Sequence, residues 1–153
     1  MPPRPPEVNR LLEALPAHAQ RRILAGCERV ELAFAEVLYA PPKRLAHVYF
    51  PTQSFISLIM PVDGTASLEV GLVGNEGMFG IPLVLGVDVS PVRAVVQGAG
   101  SALRMDASAF CRELGRDHAE LVPQVFRRGM SKLGAEAQAK LRENPQLVLR
   151  ALG

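Results

Sequence analysis

Apolar residues at Val8, Leu11, Leu12 and Leu15 keep the i, i+3, i+4, i+7 spacing of one helix face, and Pro16 predicts where that helix ends. Pro16 also suits the first turn of a second helix, running through Ile23 and Leu24 to Gly26. At Val30 the period drops to two. Val30, Leu32 and Phe34 alternate with polar or small residues, and Val37–Tyr39, His47–Phe50 and Phe55–Met60 read as further strands, the last with Ile56, Leu58 and Met60 on one face. Asp63-Gly64 stands between two alternating runs. That dipeptide fills tight hairpin turns because both central residues need positive φ, so Phe55–Val62 is predicted to pair with Thr65–Val73. In the second of these runs Leu68, Val70 and Leu72 share a face.

Glycines then punctuate the chain at Gly71, Gly74, Gly77 and Gly80, before a short apolar run from Ile81 to Leu85 that Gly86 stops. A strand resumes at Val92, with Ala94 and Val96 facing one way and Arg93, Val95 and Gln97 the other. Asp106 is placed to cap a helix over Ala107–Leu114 closed by Gly115, and Asp117 with Glu120 reads as a capping box opening a longer helix. Along that helix Val122, Phe126, Met130, Leu133, Ala137 and Leu141 are spaced 4, 4, 3, 4 and 4, a nearly continuous apolar stripe. Gly129 and Gly134 within it each cost about 1 kcal/mol of helix propensity, and Asn144-Pro145 ends it.

The 153 residues, 48% apolar and 21% charged, have the make-up of one ordinary globular domain. A net charge of +2 does not announce a nucleic-acid binder. Its distribution leaves residues 51–100 at −3, so the centre of the chain is its acidic part. The start, M-P-P-R-P-P, lacks the apolar core of a secretory signal and reads as a disordered arm over residues 1–8. With no uninterrupted apolar stretch long enough to span a bilayer, a cytoplasmic protein is expected, with no membrane partner. Cys27 and Cys111 make no disulfide or metal framework and read as two buried thiols in a reducing compartment.

Strand, glycine loop, short apolar turn and a strand carrying Arg93 is a physical recipe for holding a small anion. Glycines let backbone N–H groups converge on an oxyanion, and an arginine closes the site with a charge-assisted fork. The same glycines equally suit four tight turns in a β-roll. Catalytic chemistry is not in evidence. The histidines His18, His47 and His118 are isolated, without metal-ligand spacing, so no metal is expected. Neither a G-x-S-x-G nor a Walker motif occurs, and Glu69, Glu76 and Asp88 read as solvated loop carboxylates. The chain is not expected to be an enzyme.

With H-V-Y-F-P at His47–Pro51 ahead of it, the stretch Ala66–Met105 resembles the sensor domain of Crp/Fnr-type bacterial transcription regulators, and the likeness covers Asn9–Leu114. The resemblance implies an α+β fold: an antiparallel, cyclic-nucleotide-binding-like β-roll (a double-stranded β-helix) flanked by N-terminal helices and a long C-terminal helix. The family's phosphate cassette reads G-E-[small or apolar], about ten residues, then R-[ST]-A. Here Gly80 falls on the glycine, Ile81 stands where the glutamate belongs, Ser90 falls near the arginine position and Arg93 comes three residues late. The candidate ligand residues implied are thus Gly77, Gly80, Ile81, Ser90 and Arg93. With Ile81 in place of the glutamate, cyclic AMP is disfavoured and no cofactor is expected. The family's usual glycines are replaced by Ala35 and Pro42, and the iron–sulfur cysteines of its oxygen-sensing members are absent.

The resemblance divides the chain into an arm (1–8), a β-roll (9–115) and a C-terminal helix with a tail (116–153), the helix pairing two copies through Val122, Phe126, Met130, Leu133, Ala137 and Leu141. Family members continue into a helix-turn-helix that reads DNA. Only Pro145–Gly153 lies beyond the helix here, so that domain is expected to be absent and no sequence-specific DNA binding is expected from this chain alone. The implied function is the effector-sensing and dimerisation module of a transcription regulator, degenerate for cyclic nucleotide. The alternative is a ligand-free interaction protein that pairs with a full-length regulator and modulates it.

Overall fold

The computed structural model describes residues 8–61 and 67–130. The chain opens with two short helices, α1 (Arg10–Glu13) and α2 (Ala17–Ala25). Asn9 caps α1: its backbone is extended and its Oδ1 accepts from the Leu12 N–H at 3.1 Å. Leu11, Leu12 and Leu15 are buried, as their spacing demands, and Pro16 and Gly26 bound α2.

Seven strands follow among the described residues: β1 (Cys27–Leu32), β2 (Val37–Tyr39), β3 (His47–Pro51), β4 (Phe55–Pro61), β5 (Ser67–Val73), β6 (Arg93–Gly98) and β7 (Gly100–Asp106). They form two antiparallel sheets, β1-β7-β3 and β2-β6-β4-β5. From β1 to β4 the chain alternates between the two sheets, β4, β5 and β6 then share one, and β7 returns to the other. Helix α3 (Ile81–Val84) interrupts the roll between β5 and β6. Helices α4 (Ala107–Arg116) and α5 (His118–Met130) close it, and α5 packs against both α3 and α4. The α+β roll implied by the resemblance is the architecture observed. One core joins the sheets to the helices, with Phe50 of β3 meeting Phe110 of α4 edge-on, ring centroids 6.0 Å apart.

Several expectations change in detail. The strand expected from Val30 to Phe34 begins at Cys27 and stops at Leu32. Phe34 is 72% exposed, because the chain turns at Ala35, a non-glycine residue at φ 67°. That conformation accounts for the glycine which the Crp/Fnr resemblance puts there. In β5 the shared face of Leu68, Val70 and Leu72 breaks. Leu58 pairs with Gly71 and Ile59 with Glu69, so Val70 is an extra residue, a bulge that shifts the alternation. Val73 is buried in consequence and Leu72 is exposed. The Asp63-Gly64 turn lies outside the described residues, although the two strands it was expected to join do pair.

Asp106 caps α4 as expected. Its carboxylate accepts from the Ser108 hydroxyl and from the N–H groups of Ser108 (3.1 Å) and Ala109 (3.2 Å), and these bonds, the hydroxyl first, hold its pKa below the ordinary value. The helix does not stop at Gly115 but runs on to Arg116. The capping box at Asp117 and Glu120 does not form through the aspartate side chain. The Asp117 carbonyl accepts from the Glu120 and Leu121 N–H groups at 3.0 and 2.8 Å, leaving its carboxylate to Arg22 of α2. Of the stripe expected to pair two copies, Val122 is partly buried, while Leu133, Ala137 and Leu141 lie outside the described residues. Leu121 and Val125, one position round the helix, form the face of α5 buried against the body. Pro123 sits inside α5 and removes one backbone donor from it.

The two cysteines are not alike. Cys27 is partly buried and its thiol is pushed up to about 11 by that burial, whereas Cys111 on α4 is exposed and shifted upward for the same reason. Only a thiolate attacks a disulfide reagent. At pH 7 a thiol with pKa about 11 is ionised in roughly one molecule in ten thousand. A small aromatic disulfide should therefore label Cys111 in the folded chain and Cys27 only on unfolding. Two equally fast thiols in the native protein would refute this.

Candidate functional site

The glycine loop is held from below by the first helix. Asn9 is buried, and its Nδ2 donates to the carbonyls of Gly77 (2.8 Å) and Pro51 (2.9 Å), while the Arg10 N–H donates to the Asn75 carbonyl at 2.6 Å. The Gly77 N–H closes a turn onto the Gly74 carbonyl at 3.2 Å. Gly77 is therefore fastened on both sides of its peptide unit. A capping Asn ahead of an apolar helix was the available sequence signal for this latch.

Gly80 is required where it stands. Its φ is 120°, and a Cβ there would lie 2.6 Å from Cγ1 of Val48 in β3. One residue earlier, Phe79 and Tyr49 exchange backbone hydrogen bonds at 3.1 and 2.8 Å, which clamps the loop to β3. Ile81 begins α3, half-buried, with Pro82 behind it and no side-chain cap. An aliphatic side chain at this point accepts no hydrogen bond from any ligand hydroxyl.

Ser90, near the family's arginine position, is completely buried and tied to Tyr39 of β2. The Ser90 N–H donates to the Tyr39 hydroxyl at 3.1 Å, and that hydroxyl donates to the carbonyl of Ser90 (3.2 Å) or Lys43 (2.5 Å). The Ser90 Oγ accepts from the Val92 N–H at 3.2 Å. An anion arriving here finds the backbone donor of Ser90 already engaged. Arg93 is the exposed first residue of β6, paired across the sheet with Ile59, and makes no ion pair among the described residues. The structure thus links Ser90 to Gly80 through Tyr39 and Phe79, whose rings lie 5.8 Å apart, and leaves Arg93 on an outer face.

The carboxylates expected to be solvated each have a local task. Glu69 accepts from the Ser57 hydroxyl at 2.7 Å, Glu76 from the Gly74 N–H at 3.1 Å, and Asp88 holds Arg44 at 2.6 Å. A cluster the sequence did not suggest joins α2 to the start of α5. His18 Nε2 lies 3.5 Å from Asp117 and 3.9 Å from Glu120, and Arg22 reaches both Asp117 and Glu113. The three groups stand within reach of one shared cation, yet Arg22 already supplies a positive charge to the same Asp117 oxygen. The cluster is an ion-pair network that ties the two helices together.

No family model matches the chain, and no curated protein matches it. Solved structures do. The N-terminal domain of a transcriptional regulator from Streptomyces coelicolor A3(2) superposes with a TM-score of 0.60 at 15% identity, over 92% of each chain. The sensor domain of the transcriptional regulator DNR from Pseudomonas aeruginosa gives 0.62 at 13% identity, over 90% of this chain and 86% of that one. The catabolite activator protein of Thermus thermophilus gives 0.62 at 16% identity, over 90% of this chain but only 61% of that longer one. The fold is that of the sensor domains of Crp/Fnr-type regulators. No helix among the described residues is long and apolar enough to cross a membrane.

Proposed function

We propose that this chain is the effector-sensing module of a Crp/Fnr-type transcription regulator whose cassette no longer serves cyclic nucleotides. The likeness to regulator sensor domains over nine-tenths of the chain supports the first half of this reading. The observation that carries the second half is the bond between Tyr39 and Ser90. Where the family's pattern asks for an arginine facing a phosphate, this chain has a buried serine whose N–H is capped by a tyrosine hydroxyl. Ile81 adds the second deficit. A ribose hydroxyl left buried against it costs about 1–3 kcal/mol, roughly a tenfold to hundredfold loss of affinity. Calorimetric titration of the chain with cyclic AMP is expected to show no binding in the micromolar range. Micromolar or tighter binding that disappears in Arg93→Ala would overturn the reading, because it would require the exposed arginine to close the cassette after all.

Assembly is part of the same proposal. The first turns of α5 bury Leu121 and Val125 against the body, and the apolar stripe that the sequence spaces along the rest of this helix, Val122, Phe126, Met130, Leu133, Ala137 and Leu141, is the surface proposed to meet a second copy. Light scattering at tens of micromolar is expected to give a dimer, and glutamate at both Met130 and Leu133 to give a monomer. A monomeric parent protein would sink the dimer without touching the cassette argument.

A further inference from the structure

Between the β2–β3 loop and Phe79 of the glycine loop lies a cavity of about 210 Å³. Its walls include Tyr39, Tyr49, Phe79 and His47, with Lys43 and Arg44 from the loop between β2 and β3. The four rings form a string: Tyr39 to Phe79 at 5.8 Å, Phe79 to Tyr49 at 6.5 Å and Tyr49 to His47 at 6.3 Å between centroids. Such tilted rings offer both faces and edges to a further ring placed among them. None of Gly77, Gly80, Ile81, Ser90 or Arg93 lines this space.

The charges at its rim differ in availability. Arg44 is held by Asp88 through its Nε (2.7 Å) and Nη2 (2.6 Å), and the Leu45 N–H donates to the Asp88 carbonyl at 2.7 Å, so the rim is fixed to the segment after α3. Lys43, by contrast, makes no hydrogen bond or ion pair through its ammonium among the described residues, and its carbonyl is fixed by the Tyr39 hydroxyl. An exposed lysine head on an anchored backbone, over an aromatic cleft, recognises a ligand that carries a ring and a negative charge together.

Size narrows the class. An apolar cavity of about 150 Å³ takes one benzene, while sites for larger, drug-sized ligands run from about 300 Å³ upward. We infer that this cavity is a binding site for a single-ring aromatic monoanion, a benzoate-like carboxylate whose ring enters among Tyr39, Tyr49 and Phe79 and whose carboxylate meets Lys43. The site itself stands on its geometry; only its role as the effector site rests on the sensor reading. A ligand there touches Phe79, the residue before Gly80, and so lies two residues from α3, which packs on α5.

The chain provides its own reporter, since it holds two tyrosines and no tryptophan, and both tyrosines line the cavity. Sodium benzoate titrated into the full chain is expected to change tyrosine emission saturably. Benzylamine, which matches its ring but carries the opposite charge, is expected to bind at least about tenfold more weakly, and Lys43→Ala to weaken benzoate about tenfold, the effect of one charge-assisted hydrogen bond. Ala46→Phe, which fills the mouth from an exposed position, is expected to abolish the change while leaving the circular dichroism spectrum intact. A response that never saturates, one that benzylamine reproduces at equal affinity, one whose affinity is unchanged in Lys43→Ala, or one that survives Ala46→Phe overturns the inference. Each of these failures leaves the cyclic AMP titration, and the sensor reading it tests, where they stood.

Discussion

Gly100→Ala is expected to lower the unfolding free energy by about 2–5 kcal/mol, and Gly115→Ala to raise it by about 0.5–1 kcal/mol. The substitution is the same, and the surroundings decide its sign. A Cβ on Gly100 would lie 2.0 Å from the carbonyl oxygen and 2.7 Å from the carbonyl carbon of Gln53, and its φ is 153°. That backbone cannot retreat, because the turn between β3 and β4 is stapled to the next residue. The Ser101 carbonyl accepts from the Thr52 N–H (3.2 Å), the Gln53 N–H (3.1 Å) and the Ser54 hydroxyl (2.8 Å), all in a buried setting. Gly115, inside α4, has nothing within 4 Å of its added Cβ and gains helix propensity. Gly98 is the instructive middle case. Its Cβ would also meet an atom at 2.0 Å, but that atom belongs to the half-exposed ring of Phe55, which can swing aside. The order expected from thermal melts is therefore Gly115→Ala above the parent, Gly98→Ala below it and Gly100→Ala lowest, by about 10 °C. A Gly100→Ala protein within a degree of the parent would show that the turn is looser than its hydrogen bonds imply.

The pattern of apolar residues made the elements legible, and the exceptions have one physical theme. Helix α2, bounded by Pro16 and Gly26, and strand β6, with Ala94 and Val96 inward, follow from period and punctuation alone. The reversal of Leu72 and Val73 was not legible, because a bulge is a property of two paired strands and leaves no mark on either one. The same holds for the candidate site. The glycine at position 80 could be placed from the cassette pattern, and the structure supplies its reason in Val48, 2.6 Å from where a Cβ would stand. Tyr39 could not be connected to Ser90 from sequence, since 51 residues separate them and neither belongs to a motif that names the other. Likewise Asn9 and Gly77 meet across 68 residues, and His18 meets Asp117 only because α2 packs beside α4, whose end Asp117 caps. Local rules read the elements. The contacts that decide what the cassette can hold are all long-range.

Tyr39→Phe tests that long-range closure with the removal of one oxygen atom. The hydroxyl accepts the Ser90 N–H at 3.1 Å and faces the carbonyls of Lys43 and Ser90. Ser90 is wholly buried, so its N–H loses its partner without gaining water. Leaving such a donor unsatisfied costs about 1–3 kcal/mol, more than the roughly 1 kcal/mol net value of a typical hydrogen bond. Phenylalanine fills the same volume and keeps the ring contact with Phe79, so packing loss is not a competing explanation. Denaturant unfolding should therefore show a loss of about 2 kcal/mol, and hydrogen exchange should show the Ser90 amide losing protection more than the amides of β7. A change below about 0.5 kcal/mol, with Ser90 still protected, would mean that another group takes over its N–H and that the hydroxyl does not close the cassette. The variant also separates closure from chemistry. Even with the Ser90 donor released, Ile81 still offers no acceptor and Arg93 still begins β6 on an exposed face, so Tyr39→Phe is expected to gain no micromolar affinity for cyclic AMP.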